Sequence, residues 1–412
     1  MTSRRYCLAS AKGGAGKTVI AASFAAFLAG LGKTVLLVDV DPATNGLTLL
    51  YLGEINKHKN LAKGKEACLL SGMFDSPPIV LERDIVHLPN KVDMLPSTFD
   101  FSNTNIALSA DDFLIRLQCL LSDADGHYDF VFLDAQAGID SVSRTAMRRD
   151  ICDEVVLVAE YDPLSAAGLE RMKGSMHEDL VYSRTWILLN KLLPDFVQSF
   201  SEFLEISKYL NPIPWDADVV RAYARRKIPL DVVDGNEFTL AIMQSLKRLL
   251  GDDTEAEINE WANNRAAAIR LPIQLQYRDA EKELKGLFVL KARLEKKAIL
   301  SSFGHMASSV GPVLVVTFGI LAAVSGFLPL TTHSVPSPGK RLFWQFLITA
   351  CSVVVGLFIT STVLQVRRKN AETSLRESHS KRQIEVLEER LKKLEVLRRA
   401  DLNTLIKHKR ST

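Results

Sequence analysis

The 412-residue chain is poor in cysteine, and its five (Cys7, Cys68, Cys119, Cys152 and Cys351) are scattered without a CxxC pair. That spacing argues against a disulfide framework or a cysteine-built zinc site and suits a reducing compartment, with structural burial as the expected role of these thiols. Net charge is lacking too: 51 Lys and Arg against 48 Asp and Glu leave a formal +3. So small a balance carries no general nucleic-acid footprint, and local charge matters more. The start, MTSRRYCLAS, is basic but meets a glycine-rich loop before any apolar h-region can form. No secretory signal is expected there, and the amino-terminal part is expected to stay in the cytoplasm.

What is present divides the chain. Mixed charged and apolar residues run to about Leu271, followed by a charged stretch, two long apolar blocks and a second charged stretch. The length exceeds one typical domain, so a core-forming amino-terminal unit of residues 1–250 is expected, with a different kind of structure after it.

The first informative segment reads strand, loop, helix: Arg5 to Ser10, then AKGGAGKT over Ala11–Thr18, then an apolar run from Val19 to Leu31 closing at Gly32. Glycines let backbone N–H groups curl around phosphate oxygens, and the helix start adds its positive dipole end. Lys12, Gly13, Gly14, Ala15, Gly16, Lys17, Thr18 and Val19 therefore form a candidate ATP cradle, with Lys17 reaching the β and γ phosphates and the Thr18 hydroxyl ligating Mg²⁺. A β-branched run, Thr34 to Pro42, carries Asp39 and Asp41 at a strand's carboxyl end, where doubly wound sheets bind ligands. Another buried strand, Tyr128 to Leu133, ends at Asp134, a Mg²⁺-organising carboxylate by position.

KGGAGKT, VDVDP and DAQAGID, in this order and spacing, resemble the deviant Walker A, A-prime and Walker B/switch II segments of the ParA/MinD ATPases over about residues 3–250. The resemblance implies an α/β P-loop domain with a doubly wound, mostly parallel sheet. It implies that Lys12 crosses a dimer interface to the partner's nucleotide, so that ATP is sandwiched in a homodimer and Lys12 acts like an arginine finger. By the same match Asp41 positions the attacking water and Asp39 lies beside it near the cation. Thr18 and Asp134 belong to the Mg²⁺ shell, and Gly138 is the switch II glycine near the γ phosphate. Asn190 matches the asparagine that reads the adenine edge, while Pro214 and Asp216 match the segment closing over the base. Two of these have plainer readings: Asp39 as a structural hydrogen-bond acceptor, and Asn190-Lys191 as a turn. Ala11, Ala15, Ala43-Thr44 and Gln136 depart from the family pattern, which touches the switch and the partner more than the phosphate chemistry.

Beyond the domain, 251–300 reads as a helical linker and coiled coil, with Ala280, Leu284, Leu287, Leu294 and Ala298 at steps of three, four or seven. Val310 to Leu330 is an apolar run of 21 residues, about 31 Å as a helix, and Leu342 to Val366 is an uncharged run of 25. The expectation is a transmembrane hairpin, 310–330 and 342–366, with both ends in the cytoplasm because Lys296-Lys297 and Arg367 to Lys369 flank it. Residues 367–412 read as a second coiled-coil helix through Ile384, Leu387, Leu391, Leu394, Leu402 and Leu405, pairing with the first stalk or with a second subunit.

The function expected is a membrane-anchored ATPase switch in the cytoplasmic (inner) membrane, acting on an unidentified protein partner. One alternative is an effector whose spans form a pore or disrupt the bilayer; another is a tyrosine autokinase, disfavoured because the tail after Ala371 has no tyrosine. DNA partitioning is open to the family, but permanent anchoring argues against riding a nucleoid.

Overall fold

The computed structural model describes residues 2–62, 64–101, 108–193, 208–327 and 378–411, with scattered positions between 361 and 376; over 252–253, 297–327 and 410–411 it describes the backbone alone. The chain divides into two compact units, Met1–Ile269 with Asp401–Thr412, and Arg270–Ala400.

The first unit is built on an eight-stranded sheet. In chain order its strands and helices are β1 (Arg4–Ser10), α1 (Lys17–Gly30), β2 (Val35–Val40), α2 (Gly46–Leu50), α3 (Leu52–Leu61), α4 (Leu81–Asp84), β3 (Val86–His87), β4 (Asp93–Leu95), α5 (Ala110–Ala124) and β5 (Phe130–Ala137). They continue as α6 (Ser141–Ala146), β6 (Glu154–Ala159), α7 (Pro163–Ser175), β7 (Thr185–Leu189), β8 (Lys208–Tyr209), α8 (Ala217–Ala224) and α9 (Glu237–Leu250). Strand order is β3-β4-β2-β5-β1-β6-β7-β8, parallel throughout except for the β3–β4 edge pair. That is the doubly wound, mostly parallel sheet expected, and its order reverses at β1.

Strand composition follows from burial on two sides. β2 is VLLVDV with every residue buried, because helices cover both faces of a parallel sheet and the period-2 polar alternation disappears. One face of the sheet carries Cys7, Ala9, Val38, Val131 and Leu133 against Leu117 and Leu121 of α5, Ala146 of α6 and Leu169 of α7. On the other face Phe132 stacks on Tyr6 at 5.4 Å and meets Phe24 of α1 edge-on at 6.1 Å. α1 has no polar stripe, since 12 of its 14 residues are buried; it lies between the sheet and α9.

After α9, which ends at Gly251 with a positive φ of 65°, one helix, α10, runs from Asp252 to Phe327. Residues 378–399 form a further helix, α11, and Leu402–Ser411 form α12. Within the second unit α10 and α11 lie side by side: Arg398 sits over the Tyr277 ring at 4.9 Å, and Arg270 donates to the carbonyl of Ala400 at 2.7 Å. Ile273, Ala280, Ile384, Leu387 and Leu394 are buried. This is helix pairing through apolar positions; a coiled coil is not established among the described residues.

Two features of the extension bear on the sequence expectations. The stalk seam was expected to continue through Leu402 and Leu405, yet the helix breaks at Ala400–Asp401, and Asp401 caps α12 by accepting from Thr404 N at 3.1 Å. Leu405 is then fully buried in the first unit. The transmembrane hairpin is the second. Among the described residues no helix is long and apolar enough to cross a membrane. The expected span 310–330 lies outside the described side chains, its backbone helical to Phe327, and 342–366 lies almost wholly outside the described residues.

Candidate nucleotide site

The loop between β1 and α1 lies at the carboxyl edge of the sheet, where the strand order reverses. Its backbone needs left-handed geometry at Gly14 (φ 82°) and Gly16 (φ 95°), which glycine adopts without a Cβ penalty. Gly16 is required for a second reason: a Cβ there would run into Nδ2 of Asn190. Gly16 caps α1 without any side-chain acceptor, so the first-turn N–H groups of that 14-residue helix have no side-chain cap and suit an anion.

Around this loop the expected residues meet. Lys17 is buried, and its positive charge acts on Asp134 at the end of β5. Asp134 also accepts from the Thr18 hydroxyl. Burial pushes the Asp134 carboxyl up to about 6, with Lys17 and Thr18 pulling it down and Asp41 pushing it up. Its Oδ1 is buried without a hydrogen-bond partner. A buried orphan carboxylate oxygen facing a hydroxyl and a lysine lacks a cation or donor, and the hard oxygens of Thr18 and Asp134 fit Mg²⁺. Among the described residues no group of three or more His, Cys, Asp or Glu could hold a metal by itself. A magnesium ion here would need its remaining ligands from phosphate and water, as is usual for this ion.

Asp41 and Asp39 differ from one another. Asp41 is buried and closes a turn, its Oδ1 accepting from Ala43 N (3.1 Å) and Thr44 N (2.9 Å) and its Oδ2 from the Thr44 hydroxyl (2.6 Å). Asp39 is fully buried, with Oδ1 accepting from Asp41 N (3.0 Å) and Oδ2 from the backbone N (2.8 Å) and hydroxyl (2.6 Å) of Thr48. Thr48 in turn bonds Ser97. Both Asp39 oxygens are thus engaged inside the protein, which fits its structural reading. Burial, and then the charge of Asp134, raise Asp39 to about 7.

Lys12 is held within its own chain. Its Nζ lies 2.8 Å from Asp162 and 3.0 Å from Glu160, and these contacts raise its pKa. Asp162 is held well below the usual carboxylate range, first by Lys12 and then by Ser165. It also caps α7, accepting from Leu164 N and Ser165 N. Lys191 completes the cluster, 2.6 Å from Glu160 and 2.6 Å from the carbonyl of Gly14. Gly138 takes φ 101° after β5 and donates to the Ser10 carbonyl at 2.8 Å, tying switch II to the end of β1.

The three residues matched to base reading each have a partner within the protein. Asn190 is buried and donates to the Ala15 carbonyl at 2.8 Å, so it braces the phosphate loop. Pro214 pairs with Leu192, and Asp216 caps α8 by accepting from Asp218 N at 2.8 Å. Sequence reading missed Glu160 and Lys191 as partners of the loop and Thr48 as partner of Asp39. None carries a motif signal; Glu160 and Lys191 are brought in by strand order and Thr48 by the fold of α2 back on β2.

Known proteins are similar to the amino-terminal part of the chain. A family model described as an AAA domain matches residues 3–180. The chromosome-partitioning ATPase Soj of Thermus thermophilus is 34% identical over 182 residues, covering 43% of this chain and 66% of that protein. The septum site-determining protein MinD of Synechocystis is 26% identical over 200 residues, covering 47% and 67%. The solved MinD–Mg-ADP complex of Pyrococcus horikoshii is 19% identical with a TM-score of 0.45, covering 62% of this chain and 98% of that one. The aligned part of the chain spans about two thirds of the length of its first curated relatives. With the glycine loop, Lys17, Thr18 and Asp134 in one place, the amino-terminal domain is similar to the ParA/MinD P-loop ATPases.

Proposed function

We propose that this chain is an ATPase switch fastened to a membrane, in which ATP closes a dimer of the amino-terminal domains and hydrolysis reopens it. The observation that carries the nucleotide part is the orphaned Asp134 oxygen beside Thr18 and Lys17, under the uncapped start of α1. Phosphoryl transfer asks mainly for positioning and charge stabilisation. Lys17 and the loop N–H groups hold phosphate oxygens. Thr18 and Asp134 would hold Mg²⁺, which would supply charge neutralisation at the phosphates. Asp41 orients water once nucleotide draws it from its turn with Thr44, and Asp39 holds the Asp41 backbone in register through Asp41 N. Lys12 would leave Glu160 and Asp162 to reach a partner's nucleotide.

Membrane attachment rests on the uncharged runs 310–330 and 342–366 with their basic flanks. Two spans would make anchoring permanent, so the cycle would change dimer state or partner binding in place, at the cytoplasmic membrane with the ATPase domain and both termini inside. Relatives named for chromosome partitioning and septum-site determination make positioning or recruitment of a protein the class of task proposed.

The test is ATP turnover by full-length protein in lipid nanodiscs over a range of concentration, beside Lys12→Ala. Specific activity that rises with concentration and collapses in the variant supports the sandwich dimer. Activity that is independent of both rules the dimer out, and ATP-triggered dye leakage from liposomes would favour a pore instead.

A further inference from the structure

The far end of α1 from the nucleotide site is built into a joint. Gly30, its last residue, lies so close to residues 229–236 that a Cβ there would meet Val232 Cγ1 at 2.6 Å. The carbonyl of Val232 accepts from Trp261 Nε1 of α10 at 3.0 Å, and the Trp261 ring packs edge-on against Phe27 of α1 at 5.1 Å. Lys33, just past α1, pairs with Glu257 of α10 at 2.6 Å. Two residues beyond Val232, Asp234 binds Arg265 of α10 at 2.7 Å and Lys409 of α12 at 3.2 Å. A Cβ on Gly235 would touch Ile406 of α12 at 3.3 Å, and Leu405 and Ile406 are buried there. α12 also packs on α9.

All of these contacts lie in the first unit, yet α10 and α12 are where the chain leaves that unit and returns to it. We propose that residues 229–236 are a coupling joint. In it α12 clamps the returning chain beside the outgoing α10, and the nucleotide state at the start of α1 is passed to both roots of the helical extension.

The physical route is short. Phosphate bound at the α1 N-terminus pulls on Lys17 and the first-turn N–H groups. α1 is about 20 Å of buried, close-packed helix, so it shifts as a body rather than deforming. Its carboxyl-terminal end has Val232 and Trp261 in contact, and any displacement must be taken up by them. Both roots are fixed to residues 229–236, so they move together.

The inference rests on the nucleotide reading, and the experiment separates the two. Hydrogen exchange of the full-length protein in nanodiscs would be followed with and without ATP and Mg²⁺, with ATP binding measured on the same sample. Exchange at 229–236, 254–269 and 402–409 is expected to change by ~threefold or more on nucleotide binding, the scale of a modest shift in local opening. Ile406→Asp, or the milder Lys409→Ala, should raise exchange at 229–236 while ATP affinity stays unchanged. Bound ATP with unchanged exchange at all three segments overturns the joint alone. No exchange difference at 229–236 in either variant overturns the clamp. Absence of ATP binding overturns the nucleotide reading and the joint with it.

Discussion

At the scale of single residues, the site separates groups that meet phosphate from groups that hold those groups still. Lys17→Ala should abolish ATP binding, read with a fluorescent nucleotide; undiminished binding would refute the P-loop assignment. Asp41→Ala should retain ATP and lower turnover about a hundredfold or more, the scale of removing a group that acts in the transition state; wild-type turnover would end its water-positioning role. Asp39 is tested by pH. Its folded value, near 7, lies above the unfolded carboxylate value of about 3.9. The native state therefore holds the extra proton between them, and the stability this contributes is present below about pH 4 and lost as pH rises toward 7. Asp39→Asn removes that loss, so the variant's melting temperature should gain on wild type as pH rises from 4 to 7. A constant difference would show that Asp39 does not titrate in this window.

At the scale of elements, α7 connects the Lys12 cluster to helix capping. Asp162 both holds Lys12 and caps α7, so Asp162→Ala should cost about 1 kcal/mol of stability and release Lys12 as well. Asp162→Ser keeps a capping oxygen and removes the charge. Its ATP-dependent dimer should form at lower protein concentration than wild type in sedimentation; an unchanged dimer constant would mean that the intramolecular contact does not compete with dimer formation. α1 shows the other side of element-level design: with no polar stripe it is stable only where sheet and α9 enclose it, and Phe27→Ala should cost about 3 to 5 kcal/mol in denaturant unfolding.

At the scale of the whole molecule, the extension after residue 250 makes the chain more than its family domain. Deleting 310–366 should release the protein from membranes into the supernatant on fractionation; continued pelleting would mean the two uncharged runs are not the anchor. The placement of α12 adds that the two chain ends of the extension meet in the ATPase-like unit, so a truncation before Leu402 should loosen residues 229–236 as well as remove the tail.

The strand ends that carry the site were legible in the sequence because phosphate binding demands local patterns. A glycine loop before an apolar helix, VDVDP and DAQAGID each declare a strand and the charge at its end. The mostly parallel sheet was legible too, since strands buried on both faces are apolar without alternation. Tertiary structure alone decided which side chains restrain the site. Glu160, Asp162 and Lys191 reach Lys12 and Gly14 because β6 and β7 follow β1 in the sheet, and Thr48 reaches Asp39 because α2 folds back on β2. Asn190 turned out to brace Ala15, and Leu405, in phase with the α11 seam, belongs to another helix. Periodicity records which face of a helix is apolar, whereas the surface that covers that face depends on the path of the whole chain.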